Sequence, residues 1–147
     1  MDKKPIDLLT LDLDWFALDK DGHIAHLTSA GWGSVPRYFI EFPDKLCDLS
    51  SLFQAMPAST IPMLTSYPDL RYNWNDFKEM ASKGLFSFDY QVYKGPYVLV
   101  AKPSIPLNSQ TLPTEIQQTL EKVQVLELCF NEIAHFNPKD FLDCECS

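Results

Sequence analysis

Two short apolar runs, Trp15 to Leu18 and Ile24 to Leu27, stand on either side of the polar segment Lys20-Asp21-Gly22-His23. Apolar runs flanking an Asp-Gly predict a β-hairpin. In an extended chain Trp15, Ala17 and Asp19 project to one side and Phe16 and Leu18 to the other. The wholly apolar Phe16 and Leu18 set marks the expected core face. Ile24 and His26 alternate with Ala25 and Leu27 less cleanly, which allows cover on both faces. Gly22 admits a positive φ without a Cβ penalty. The turn is therefore either type I closed by a left-handed glycine bulge or a two-residue primed turn. Asp19 and Asp21 carry side-chain oxygens suited to bonding nearby backbone N–H groups and holding that turn.

Upstream, Leu9, Leu11 and Leu13 alternate with Thr10, Asp12 and Asp14. This strand pattern either runs on into Trp15 or follows a flexible lead. Downstream, Arg37 to Phe42 reads as a second strand, with Tyr38, Ile40 and Phe42 on one face and Pro43 ending it. Leu46, Leu49, Phe53 and Met56 recur at helical spacing, the mark of an amphipathic helix stopped by Pro57. The segment Pro57 to Pro68 reads as a long connection. Asn73 to Asp76 opens a second helix, with Trp74, Phe77 and Met80 or Ala81 on its apolar stripe and Gly84 as a left-handed stop.

From Leu85 to Tyr93 the chain alternates as a strand, turns at Lys94-Gly95-Pro96 and returns through Tyr97 to Ala101, apolar on both faces and so central in a sheet. Pro113 begins a third helix carrying Ile116, Leu120 and Val123. Val125 to Phe130 reads as a last strand, and the acidic stretch from Lys139 to Ser147 is expected to fray. The pattern as a whole predicts the α+β class, an antiparallel sheet of about five to six strands with two to three short helices packed on it. A single domain over residues 1–147 is expected, with the frayed tail beginning near Lys139.

Composition adds that this chain can fold. Its 147 residues are 46% hydrophobic and 13% aromatic, enough to offset ordering entropy by burial. The net charge of -8, from 20 acidic and 12 basic residues, disfavours nucleic acid and anionic membrane surfaces and suits a basic protein partner. Asp7, Asp12 and Asp14 interrupt the N-terminal apolar residues before a signal peptide's length is reached, and no stretch is long enough to span a bilayer. The expected location is the cytoplasm.

Chemistry is harder to find. Asp19-Lys20-Asp21-Gly22 looks like part of a calcium loop. With Gly22 at the sixth position, however, Ala17 falls at the first and Thr28 where the bidentate Glu belongs. Cys47 and Cys129 lie in apolar patterns and are expected to be buried thiols. Cys144 and Cys146 form a Cys-x-Cys without the further ligands that zinc requires. His23 and His26 fall on opposite strand faces, nothing local joins His135 to a cysteine, and no serine lies in a Gly-x-Ser-x-Gly setting. No catalytic, metal or cofactor residue is assigned, and the chain is expected to be non-catalytic. Trp32, between Gly31 and Gly33, either caps the core or presents a recognition loop. The expected partner-binding residues are Trp32, Arg37, Asp12, Asp14, Asp19 and Asp21.

The Trp15-Phe16-x-x-Asp19 start, the turn with Gly22, the apolar return and the Gly31 to Pro36 segment resemble a group of small uncharacterised bacterial proteins. Gly84-Leu85-Phe86, Asp89-Tyr90, Pro96-Tyr97 and Lys102-Pro103 look like that group's second half. Such proteins are similar to the immunity-type members of bacterial toxin systems, which implies binding without catalysis and carries over no functional residue. The leading expectation is an acidic protein-interaction module, an immunity protein neutralising a basic toxin domain by charge complementarity. The rival is a small-molecule-binding protein or enzyme with a pocket lined by aromatics such as Trp32, Tyr90 and Tyr93. A third is a purely structural subunit.

Overall fold

A computed structural model describes residues 12–91 and 95–145. Strands β1 (Asp14–Asp19) and β2 (Ile24–Thr28) form the expected antiparallel hairpin, with Phe16 opposite His26 and Ala17 opposite Ala25. Gly22 has a φ of +84° and follows a turn closed by its N–H on the Asp19 carbonyl at 3.4 Å. A left-handed glycine at the end of the turn is the type I and bulge arrangement, one of the two alternatives the sequence left open. The Leu9 and Leu11 part of the upstream pattern lies outside the described residues.

After the hairpin comes β3 (Val35–Pro36), then α1 (Arg37–Glu41) and α2 (Pro43–Ala55). The strand expected over Arg37 to Phe42 is therefore a helix. Phe39 and Ile40 are adjacent and both buried, which one-sided strand alternation would forbid and a helix turning between β3 and α2 permits. The helix at Asp44 onward is as expected, burying Leu46, Leu49 and Phe53. The connection from Pro57 to Pro68 contains a short strand, β4 (Pro62–Leu64), whose proline is tolerated because the strand lies at a sheet edge.

Helix α3 (Asn75–Ser82) buries Met80 and Ala81 and ends at Gly84, where φ is +100°. β5 (Phe86–Tyr90) and β6 (Tyr97–Pro103) pair antiparallel, α4 (Thr114–Glu121) follows Pro113, and β7 (Gln124–Val125) is only two residues long. The strand expected through Phe130 thus stops at Val125. Beyond it the chain bends into a 3-10 turn at Phe130–Glu132 before β8 (His135–Phe136). The stretch from Lys139, expected to fray, is ordered as far as it is described: it continues a 3-10 turn (Pro138–Asp140) and enters β9 (Cys144–Glu145), which pairs with β3.

The fold is α+β, with a seven-stranded, mostly antiparallel sheet ordered β4-β6-β5-β2-β1-β7 and β8 sharing β6. Two pairings are parallel, β1 with β7 and β2 with β5. On one face of the hairpin Phe16 stacks on Phe53 of α2 and His26 meets Phe77 of α3, while α4 packs against β1 and α2. On the other face Phe88 meets Phe130 and Phe136. Both faces of β1 are core, so Trp15 and Ala17 are as completely covered as Phe16. Among the described residues no helix is long and apolar enough to cross a membrane.

Burial of Trp15 creates a polar obligation that one residue meets. Its indole N–H donates to Tyr97 Oη at 3.1 Å, and the Tyr97 hydroxyl donates to the Ser34 carbonyl at 2.9 Å. The two rings meet edge to face at 5.7 Å. Tyr97→Phe keeps the ring and removes both bonds, so we expect a loss of about 1–3 kcal/mol. The check is a lower denaturant midpoint with an unchanged m-value.

Candidate functional site

The alternation of β1 sends Asp19 to the face of Trp15 and Ala17, at the end of the strand where the hairpin turns. There it is fully buried, not an exposed interface carboxylate. Burying a charge requires compensation, and the backbone supplies it. Asp19 Oδ1 accepts the N–H groups of Asp21 at 2.8 Å and His23 at 2.9 Å, and Oδ2 accepts that of Phe130 at 2.8 Å. The expected turn-holding role is real, and it extends to a distant segment.

That segment brings Cys129 into place. One donor atom each from Asp19, His23 and Cys129 lie within 4.8 Å of one another. His23 Nδ1 is 3.8 Å from Asp19 Oδ2, and this ring nitrogen is buried without a hydrogen-bond partner among the described residues. The ring lies over Phe86, centroid to centroid 5.9 Å. A carboxylate has about four lone-pair sites. The three backbone bonds leave one of them uncommitted among the described residues, on Oδ2, the oxygen 3.8 Å from His23 Nδ1.

Burial, followed by a hydrogen bond to the Asp21 carboxylate, pushes the Cys129 thiol above its ordinary pKa. A nucleophilic cysteine needs the opposite shift, so the trio is poorly suited to thiolate attack. As a ligand set it is better matched. Carboxylate oxygen, imidazole nitrogen and thiolate sulfur are the donors of three-ligand zinc sites with an open fourth position.

No family model matches the chain, and no curated protein or solved structure does so either.

The six residues expected to bind a partner are spread over the molecule. Trp32 is 56% exposed. Arg37 is engaged within the chain, its guanidinium paired with Asp143 at 3.2 Å and with Glu145, and these bonds raise its pKa. Asp12 is exposed and accepts the Ala30 N–H at 3.0 Å. Asp14 borders a cleft on the opposite face of β1 from Asp19, and Asp21 stays at the hairpin tip beside Cys129. Of the aromatics expected to line a pocket, Tyr90 meets Tyr97 edge to face at 5.1 Å and Tyr93 lies outside the described residues. Cys47, expected to be buried, is exposed, since it lies off the Leu46, Leu49 and Phe53 stripe of α2.

The sequence places Asp19 correctly as a turn-holding carboxylate, but gives no sign that it lies beside both His23 and Cys129. The available signal was His23 sharing the Asp19 face, but the fold alone supplies Cys129. In Asp19→Asn the amide nitrogen must face a backbone N–H donor in either orientation. We therefore expect about 3 kcal/mol of destabilisation, measured by denaturant unfolding with a chelator present so that only the hydrogen bonds are read.

Proposed function

We propose that the protein binds a divalent transition-metal ion of the zinc class through Asp19, His23 and Cys129. The observation that carries this reading is the convergence of three different donor atoms, one of them a buried imidazole nitrogen with no hydrogen-bond partner among the described residues. Such a nitrogen costs free energy unless something accepts its hydrogen or takes its lone pair, and an ion does the second. The ion also displaces the thiol proton and fills the uncommitted site of Asp19 Oδ2. Its second shell is already built, because a ligating carboxylate held by backbone N–H groups is fixed in direction. This favours the small-ligand reading of the sequence over the interaction-module reading.

Cobalt(II) titration is the test. A thiolate-to-cobalt absorption band that saturates at one equivalent, disappears in Cys129→Ser and weakens in His23→Ala is expected. Absence of the band from the wild-type protein removes the proposal. Because the thiol pKa is raised, the ion competes with a proton at neutral pH. Affinity should therefore climb with pH, by up to about tenfold per unit, with one proton released per ion bound. A pH-independent affinity contradicts thiolate ligation.

A second reading rests on a separate observation. Among the described residues, edge strand β4 pairs on one side only, and it carries exposed Met63 and Leu64, with Ile61 and Ile105 exposed beside it. Apolar edges of this kind accept another chain by strand addition, and the net charge of -8 suits a basic partner such as a toxin domain. On this reading Leu64→Lys abolishes binding to a basic protein encoded beside the gene, while Trp32→Ala leaves it intact. The reverse pattern in a binding assay would return the interface to the Trp32 loop.

A further inference from the structure

The opposite face of the hairpin holds a second site that the metal reading does not use. His26 is 1% exposed, yet it borders a cleft of about 410 Å³ whose other walls are Asp14, Gln54, Asp76, Glu79 and Met80. Its ring is fixed three ways: Nδ1 bonds Ser87 Oγ at 2.7 Å, and Phe16 and Phe77 lie against it at 5.7 and 6.1 Å. Nε2 is buried and has no hydrogen-bond partner among the described residues, where Asp14 Oδ1 is the nearest carboxylate oxygen at 3.7 Å, too long for a bond.

The charges on the walls are unbalanced. Glu79 is paired with Lys83 at 3.3 Å, and that ammonium is occupied further by the carbonyls of Phe53 and Gln54 at the end of α2. Asp14 is half exposed and, among the described residues, has no Lys or Arg paired with it, and no cation among them pairs with Asp76. The site is thus acidic with a buried nitrogen aimed into it. A single metal ion does not fit this spread. Among the described residues, Asp19, His23 and Cys129 alone bring three such donors within 4.8 Å of one another. A volume of 410 Å³ also belongs to small molecules, not bare ions.

The geometry points to a small organic cation with two separated ammonium groups, a linear aliphatic diamine in its simplest form. One N–H is accepted by His26 Nε2, and the carboxylates of Asp14 and Asp76 pair with the charges. The methylene chain lies along Met80 and the aromatic surround of His26. This inference is independent of the metal reading and lies on the other side of the sheet.

The experiment is an NMR titration of the intact protein with putrescine, following the His26 ring resonances, with n-butylamine as the single-charge control. Saturable movement of those resonances is expected, with putrescine bound at least about tenfold more tightly than n-butylamine. Asp14→Asn and Asp76→Asn, both at partly or fully exposed positions that the fold tolerates, should each weaken putrescine by about fivefold or more. Glu41→Gln, which removes a remote exposed charge, should leave it unchanged. The inference falls if the His26 resonances stay still, if n-butylamine binds as tightly, or if Glu41→Gln weakens binding as much as the cleft variants do. Each of these results leaves the cobalt band at Cys129 untouched, so the two sites are judged separately.

Discussion

A carboxylate with no exposed surface has to be surrounded by hydrogen-bond donors, and in this protein the donors are backbone amides from two places far apart in the chain. Asp19 takes two from its own turn and a third from Phe130, 111 residues away. The demand for that third amide dictates the local path of the C-terminal segment. β7 can run beside β1 for only two residues before the chain must turn inward and offer its N–H to the carboxylate. The same turn carries Cys129 under the hairpin. The hairpin tip, the short parallel strand and the candidate metal ligands are therefore consequences of one buried charge.

The second organising constraint is that β1 and β2 are covered on both sides. Alternation then distributes chemistry between two compartments. His23 and His26 are three positions apart, yet one faces the aromatic layer of Phe86 and Phe130 and the other faces the helices. Each has a ring nitrogen buried without a hydrogen-bond partner among the described residues. The surroundings differ in kind: close, mixed donors around His23, and dispersed carboxylates around His26. The first arrangement suits an ion and the second an extended cation.

Local patterning was legible where the chain's neighbours are also its contacts. The β1 and β2 hairpin, the helix carrying Leu46, Leu49 and Phe53, the Gly84 stop and the Phe86 to Tyr90 strand all follow from spacing and turn chemistry. The misreadings share a cause, which is tertiary demand overriding a short ambiguous run. Arg37 to Glu41 alternates well enough for a strand but must bury Phe39 and Ile40 together. Pro62 to Leu64 looks like linker because the residue types that mark a central strand are absent from an edge. Asp19 reads as solvent-facing because nothing nearby in the sequence announces Phe130. The candidate metal ligands were illegible for the same reason: Asp19 and His23 are local, but Cys129 joins them only through the closed sheet. Pairing of β9 with β3, fastened by Arg37 on Asp143 and Glu145, likewise needs both ends of the chain in place.

The parallel register of β2 with β5 sets the order in which the molecule can assemble. His26 and Ser87 are 61 residues apart, so their strands meet only after a long loop has closed, an entropic cost met before any of the pairing is gained. The two antiparallel units, β1 with β2 and β5 with β6, can form early from nearby residues, and their docking joins them into one sheet. The His26 cleft is walled by α2 and α3, the very segments enclosed in that loop. A hairpin formed alone therefore carries only Asp14 and His26 of the cleft, and the walls supplied by Gln54, Asp76, Glu79 and Met80 close over them when α2 and α3 dock.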